Sequence, residues 1–193
     1  VNGCGLNAQT SGSSATDNVA TAPTGLTNNT AADVSGCTAT GIRITWTASP
    51  SNWGDNGYGT RTYDVLRDGN PVATGVPFNT TIYIDTGVTI NVTYTYRVRY
   101  VNGCGLSATT SGASASDQVG TAPSGLNNNS AADLGNCADT GVRITWDANP
   151  ANWGDNGSGT RNYNVLRNGV SIATIAYNTT IYTDISGSNN TIY

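Results

Sequence analysis

Tyr94-Thr95-Tyr96-Arg97-Val98-Arg99-Tyr100-Val101-Asn102-Gly103 contains the longest alternating run in the chain. Tyr94, Tyr96, Val98 and Tyr100 fall on one face and Arg97 and Arg99 on the other, the period-two pattern of a strand with one buried side. Asn102-Gly103 then supplies a turn, and a Ser/Thr/Ala-rich last strand is expected over about Ser107–Ser116. Upstream, Ile42, Ile44 and Trp46 alternate with Arg43 and Thr45, and Tyr63 and Val65 alternate within Arg61–Leu66. Asp68-Gly69 follows as a hairpin signal. These segments read as strands and turns, with no helix.

Composition agrees. The chain has no Lys, Glu, His or Met; eight Arg and twelve Asp carry all the side-chain charge. Asn, Thr, Ser and Gly fill the polar positions, so good helix formers are scarce and residues favouring strands and turns abound. Four Trp and ten Tyr suffice for small cores, which argues against disorder. A net charge of −4 with no basic stripe disfavours a nucleic-acid partner. No apolar run approaches the roughly 18–20 residues of a membrane-spanning helix, and no signal peptide is present in these residues.

The runs recur. Val1-Asn2-Gly3-Cys4-Gly5-Leu6 returns as Val101-Asn102-Gly103-Cys104-Gly105-Leu106, and Asn52-Trp53-Gly54-Asp55-Asn56-Gly57 returns as Asn152-Trp153-Gly154-Asp155-Asn156-Gly157. The offset is 100 residues as far as Thr74/Thr174 and 99 thereafter. A unit of about 100 residues matches a seven-stranded sandwich. Residues 1–19 are read as the last strand of a preceding repeat, 20–119 as a complete repeat, and 120–193 as a second repeat without its final two strands. A sandwich short of two strands leaves apolar surface in water, at roughly 25 cal/mol per Å². The chain is therefore expected to be a window on a longer array, or a subunit completed by a neighbour's strand.

The motifs resemble the fibronectin type III family, in particular its divergent bacterial extracellular versions. The resemblance rests on Pro23 at the domain opening, Trp46 on the second strand, Tyr63 and Val65 on the third, and the aromatic run ending at Val101-Asn102. Tyr94 looks like the corner tyrosine of such sandwiches. The implied fold is all-β: tandem seven-stranded fibronectin type III-like sandwiches. Two departures stand out: about five extra residues between Pro23 and Trp46, and a pair of cysteines in each repeat.

Cys4, Cys37, Cys104 and Cys137 recur at repeating positions, which reads as disulfides in a secreted setting. Zinc is disfavoured, because there is no Cys-x-x-Cys and no His. In a fibronectin-type sandwich the start of the second strand and the end of the sixth lie at opposite poles, beyond the roughly 7 Å Cα limit of a disulfide. A bridge from Cys37 to the next repeat's equivalent of Cys104 is one reading. Pairing of Cys37 with Cys104 stays open, since the extra residues could redirect the loop.

The loop carrying Trp53, Asp55 and Asn56, repeated at Trp153, Asp155 and Asn156, is the candidate contact for a glycan or protein partner. Its bland reading is a turn whose Trp covers one end of the sandwich, with Asp-Asn-Gly chosen for positive φ. Asp and Asn oxygens could also serve Ca²⁺. The Asp-x-Asp/Asn-x-Asp/Asn-Gly spacing is absent, so no cofactor is expected. Arg97 and Arg99 should share a face with Asp64 and form cross-strand ion pairs; Asn164 replaces Asp64 in the second copy. Seven Asn-x-Ser/Thr triplets begin at Asn28, Asn79, Asn91, Asn128, Asn156, Asn178 and Asn189, about the number expected by chance in a chain with 24 Asn.

Catalysis has little to work with. Without His, Lys or Glu the usual bases for activating Ser or Thr are missing, so the chain reads as no enzyme. The expected function is a structural repeat of an extracellular fibre, filament or surface stalk, partnered by adjacent repeats or further copies of itself. Alternatives are a cell-surface adhesin gripping glycan or host protein through its loops, and a spacer in a large secreted enzyme.

Overall fold

The computed structural model describes residues 2–127 and 129–193; the triplet at Asn128 lies outside the described residues. Every regular element is a strand. In the first repeat, β1 (Thr30–Asp33), β2 (Ile42–Thr45) and β5 (Ile82–Asp85) make a three-stranded sheet in the order β1-β2-β5. The second sheet runs β4 (Asn70–Pro77), β3 (Thr62–Arg67), β6 (Thr93–Val101) and β7 (Ser107–Thr109), with β8 (Ala113–Ser116) also paired to β6. This strand order is that of a fibronectin type III-like sandwich, three strands against four, with the last one broken in two.

Alternation decides what is buried. Ile42 and Ile44 from one sheet, and Tyr63, Val65, Tyr96, Val98 and Tyr100 from the other, are shielded completely, while Arg43 and Arg97 face water. Trp46, one residue beyond β2, meets Tyr63 edge-on with ring centroids 5.6 Å apart, and Tyr63 meets Tyr100 at 5.2 Å. β3 departs from period two: Tyr63, Asp64, Val65 and Leu66 are all buried, because strands on both sides and the opposite sheet enclose it. Tyr94 is a corner tyrosine, its hydroxyl accepting the Thr89 N–H at 3.2 Å. The same bond, from the Ser188 N–H, recurs at Tyr193.

Turn chemistry matches the residues. Asp68 and Gly69 both have positive φ (50° and 85°), as do Asn168 and Gly169 (50° and 80°), the two-residue hairpin that follows the strand twist. The single last strand expected over Ser107–Ser116 is instead β7 and β8. The Thr110 N–H still donates to the Val98 carbonyl, but the Val98 N–H is taken by the Thr110 hydroxyl, which in turn donates to the side-chain Oδ1 of Asn29, and Gly112 turns at φ 103°. Residues 2–19, expected as a last strand, form none.

The second repeat repeats the first as far as it goes. β9 (Ser130–Asp133), β10 (Val142–Thr145) and β13 (Ile181–Asp184) form one sheet, and β11 (Asn162–Arg167) pairs with β12 (Val170–Ala176) in the other. Compactness divides the chain at other places than the repeat boundary. One unit holds the N-terminal residues to Thr30, Ile44–Tyr83 and Thr95–Ala113; the other holds Ala31–Arg43, Ile84–Tyr94 and Ser114–Tyr193. The lower loops of the first sandwich thus belong to the same compact unit as the second repeat.

Candidate functional site

The Trp-Gly-Asp-Asn-Gly loop is built by backbone pairing at both ends. Thr24 and Asn52 form an isolated bridge, and the Thr21 N–H donates to the Gly54 carbonyl at 2.8 Å. Gly54 sits at φ 72° against the Thr21 carbonyl, where a Cβ would collide. Asn56 and Gly57 take positive φ (54° and 82°), closing a turn in which the Tyr58 N–H reaches the Asp55 carbonyl at 3.0 Å.

The tryptophan of this loop faces inward. Trp53 is 7% exposed and packs on Tyr63, Phe78 and Tyr100 with centroids 5.7–6.0 Å away. Asp55 is buried as well: Arg61 holds its carboxylate bidentately at 2.6 and 2.7 Å, and the N–H groups of Gly57 and Gly103 donate to it. The Arg61 bond, aided by those two N–H groups and opposed by burial, holds the Asp55 carboxyl far below the ordinary range. Each Asp55 oxygen is already engaged, which removes the motive for a calcium role. Only Asn56 and its neighbours face solvent, with Tyr58 74% exposed.

Arg61 is the residue that sequence reasoning missed. Its guanidinium lies 5.1 Å from the Trp53 ring centre and 6.0 Å from that of Phe78, joining a cation–π contact to the ion pair. The second copy repeats the arrangement: Arg161 grips Asp155 at 2.6 and 2.7 Å and lies over Trp153 and Tyr177. The Arg161 bond, then the Gly157 N–H, lowers the Asp155 pKa to about 2. An Asp followed six residues later by Arg in both copies was the available signal.

The expected ion pair at Asp64 forms with Arg99, its cross-strand neighbour, at 2.6 Å; Arg97 stands opposite Leu66 instead. Asp64 also accepts the N–H of Gly75 at 2.9 Å. Gly75 is the extra residue of the first copy, bulged out of β4 where Tyr63 pairs with Val76 and Val65 with Ala73. In the second copy the bulge is absent, β11 and β12 are in register there, and Asn164 accepts from the Thr174 hydroxyl at 3.0 Å.

All four cysteines are exposed free thiols. Cys104 rides on a closed turn in which the Asn102 side chain accepts the N–H groups of Cys104 and Leu106 at 3.1 and 2.9 Å. Cys4 has the same turn, with Asn2 accepting from Cys4 and Leu6 at 3.0 and 3.1 Å. Cys37 lies elsewhere, before β2. Its Sγ is 4.0 Å from the Asp155 carbonyl oxygen, and the Asn156 side chain donates to the Gly36 carbonyl at 2.8 Å. Asn156 is therefore a contact of the adjacent repeat's loop. Cys137 occupies the matching loop of the second repeat, after the Asp133–Gly135 turn.

No family model matches the chain, and no curated protein does. Among solved structures it is similar to the chicken CNTN1 FN1–FN3 domains, at 13% identity and a TM-score of 0.41, over 86% of this chain and 53% of that one. The chain thus spans about half the length of that structure.

Proposed function

We infer that the chain is a non-catalytic structural segment of an extracellular fibre, filament or surface stalk, assembled from sandwiches joined by stiff junctions. The observation that carries this reading is the linker Gln118-Val119-Gly120-Thr121-Ala122-Pro123. The Gln118 N–H donates to Asp33, that of Gly120 to the Cys37 carbonyl, and that of Thr121 to the Gly154 carbonyl, while Asn156 donates to the Val119 carbonyl. Flexible spacers are Gly/Ser-rich and leave their backbone to water; this one is bonded at four of its six residues, Gln118 to Thr121, to the elements it joins. Near-identical copies also suit a polymer, which benefits from uniform contacts.

Negative-stain electron microscopy of the native material tests it. Straight rods or filaments with an axial repeat of one or two domains are expected. Separate beads at variable angles would sink the fibre reading and favour a spacer. A second reading, a glycan-binding adhesin, draws on Tyr58 alone, since Trp53 and Asp55 are enclosed. Glycan binding lost on Tyr58→Ala would support it.

A further inference from the structure

The Trp-Gly-Asp-Asn-Gly loop has two backbone neighbours, and each leads into a cysteine. In the first repeat the neighbour is Gly103. Its N–H donates to Asp55 Oδ2 at 3.1 Å, and it lies so close to Tyr58 and Gly59 that neither glycine could carry a Cβ. Cys104 is the next residue. In the second repeat the neighbour is Gly36. A Cβ there would stand 2.6 Å from Ser158 Oγ and 3.2 Å from the Asn156 Cβ, and Cys37, the next residue, touches the Asp155 carbonyl. Gly36, Cys37 and residues 155–158 lie in one compact unit.

The two copies of the loop are built alike, down to the Asp–Arg pair and the N–H of Gly57 or Gly157 on the carboxylate. A contact of one copy can therefore be carried to the other. Cys104 adjoins the glycine that binds Asp55; Cys37 adjoins the glycine that abuts the Asp155 loop. A Cys104-type residue in the second repeat lands beside Asp155, which Cys37 already touches.

We propose that Cys37 forms a disulfide with the Cys104-type cysteine of the following repeat, so that each junction of the array carries one covalent staple. The pairing runs along the chain: Cys104 bonds upstream and Cys137 downstream. Cys37 precedes β2 and Cys104 follows β6. A disulfide needs Cα atoms about 4.4–6.8 Å apart, and the two cysteines approach the same aspartate, one beside its carboxylate and the other at its main-chain carbonyl. The Asn-Gly-Cys-Gly-Leu turn closes by the same local bonds at Cys4 and at Cys104, and both cysteines are exposed. The oxidant is a small-molecule or protein disulfide. One thiolate attacks it and expels a thiol; the second cysteine displaces the remaining half, so two protons and two electrons leave the protein and two thiols form.

The proposal rests on reading the chain as an array. Its test is the full chain with Cys4→Ser, extended after Tyr193 by a copy of residues 95–119, which completes the second repeat in its own register. After oxidation with glutathione disulfide, alkylation and cleavage at Arg, the peptide 1–43 should be joined to the appended cysteine peptide, with Cys104 and Cys137 alkylated. A link between 1–43 and 100–143, or an alkylated Cys37, would overturn it. Should the extension fail to fold, S158C with Cys4→Ser in the 193-residue chain serves: a link between 1–43 and 144–161 is expected, and its absence is equally fatal. Peptide connectivity is independent of whether filaments form, so the two readings fail separately.

Discussion

The two repeats share their core residues and differ in how well those residues are covered. Tyr63 is fully buried; Tyr163, with the same ring contacts to two tryptophans and the same hydroxyl bond to a carbonyl, is only half-buried. Leu66 is 8% exposed and Leu166 60%. The β10 pair Val142 and Ile144 line an open cleft of about 510 Å³ with Trp146, Tyr163, Val165 and Ile172. What is missing beside β11 is the partner that β6 provides for β3, register for register from Thr62↔Val101 to Arg67↔Tyr96. The lesson is that the strands form from local pattern and hairpin pairing, while the core is made by a strand distant in sequence.

The most severe test of that comparison is to supply the strand. Extending the chain by the copy of residues 95–119 should raise hydrogen-exchange protection across β10 and β11 by about a hundredfold or more, towards that of β2 and β3. Unchanged protection would break the comparison. Next, Tyr63→Ala should cost about 3–5 kcal/mol in denaturant melts, whereas Tyr163→Ala should cost less than half as much, because its site is already wet. Equal losses would mean that β6 contributes little to the core.

Acid should come third. The lowered pKa values of Asp55, Asp155 and Asp184 mean that these carboxylates bind protons more readily in the unfolded chain, where an Asp titrates near 3.9. Their stabilisation is complete above that value and is lost as pH falls towards the folded pKa values, about 2 for Asp155. With no His or Glu, stability should stay level from about pH 5 to 8 and drop below about pH 4; Asp55→Asn should flatten the drop in the first repeat. The smallest effect concerns the bulge. Asp64→Asn should cost about 1–2 kcal/mol, by weakening the bonds to Arg99 and the Gly75 N–H. Deleting Gly75 as well should recover part of it, since the second repeat shows Asn164 and an unbulged strand together.

Much of this was legible from residues near one another. The alternation of Tyr96, Val98 and Tyr100, the Asp68-Gly69 hairpin and the corner at Tyr94 are short-range features, and the Asn102 turn forms again at Asn2 where no sandwich surrounds it. The break between β7 and β8 was not legible, because it depends on Thr110 meeting Asn29, 81 residues away. Enclosure of Trp53 was one of two readings of its loop, and the choice between them depends on Tyr63, Phe78 and Tyr100, which close over it.

The sequence by itself determined the repeat, the strand and turn pattern and the all-β class, since φ preferences and side-chain alternation act over a few residues. Only the tertiary structure decided that Asp55 is spent on Arg61, that Asp64 serves a bulge, and that Cys37 faces residue 155. Those outcomes turn on which distant surfaces exclude water together, and no local pattern encodes that.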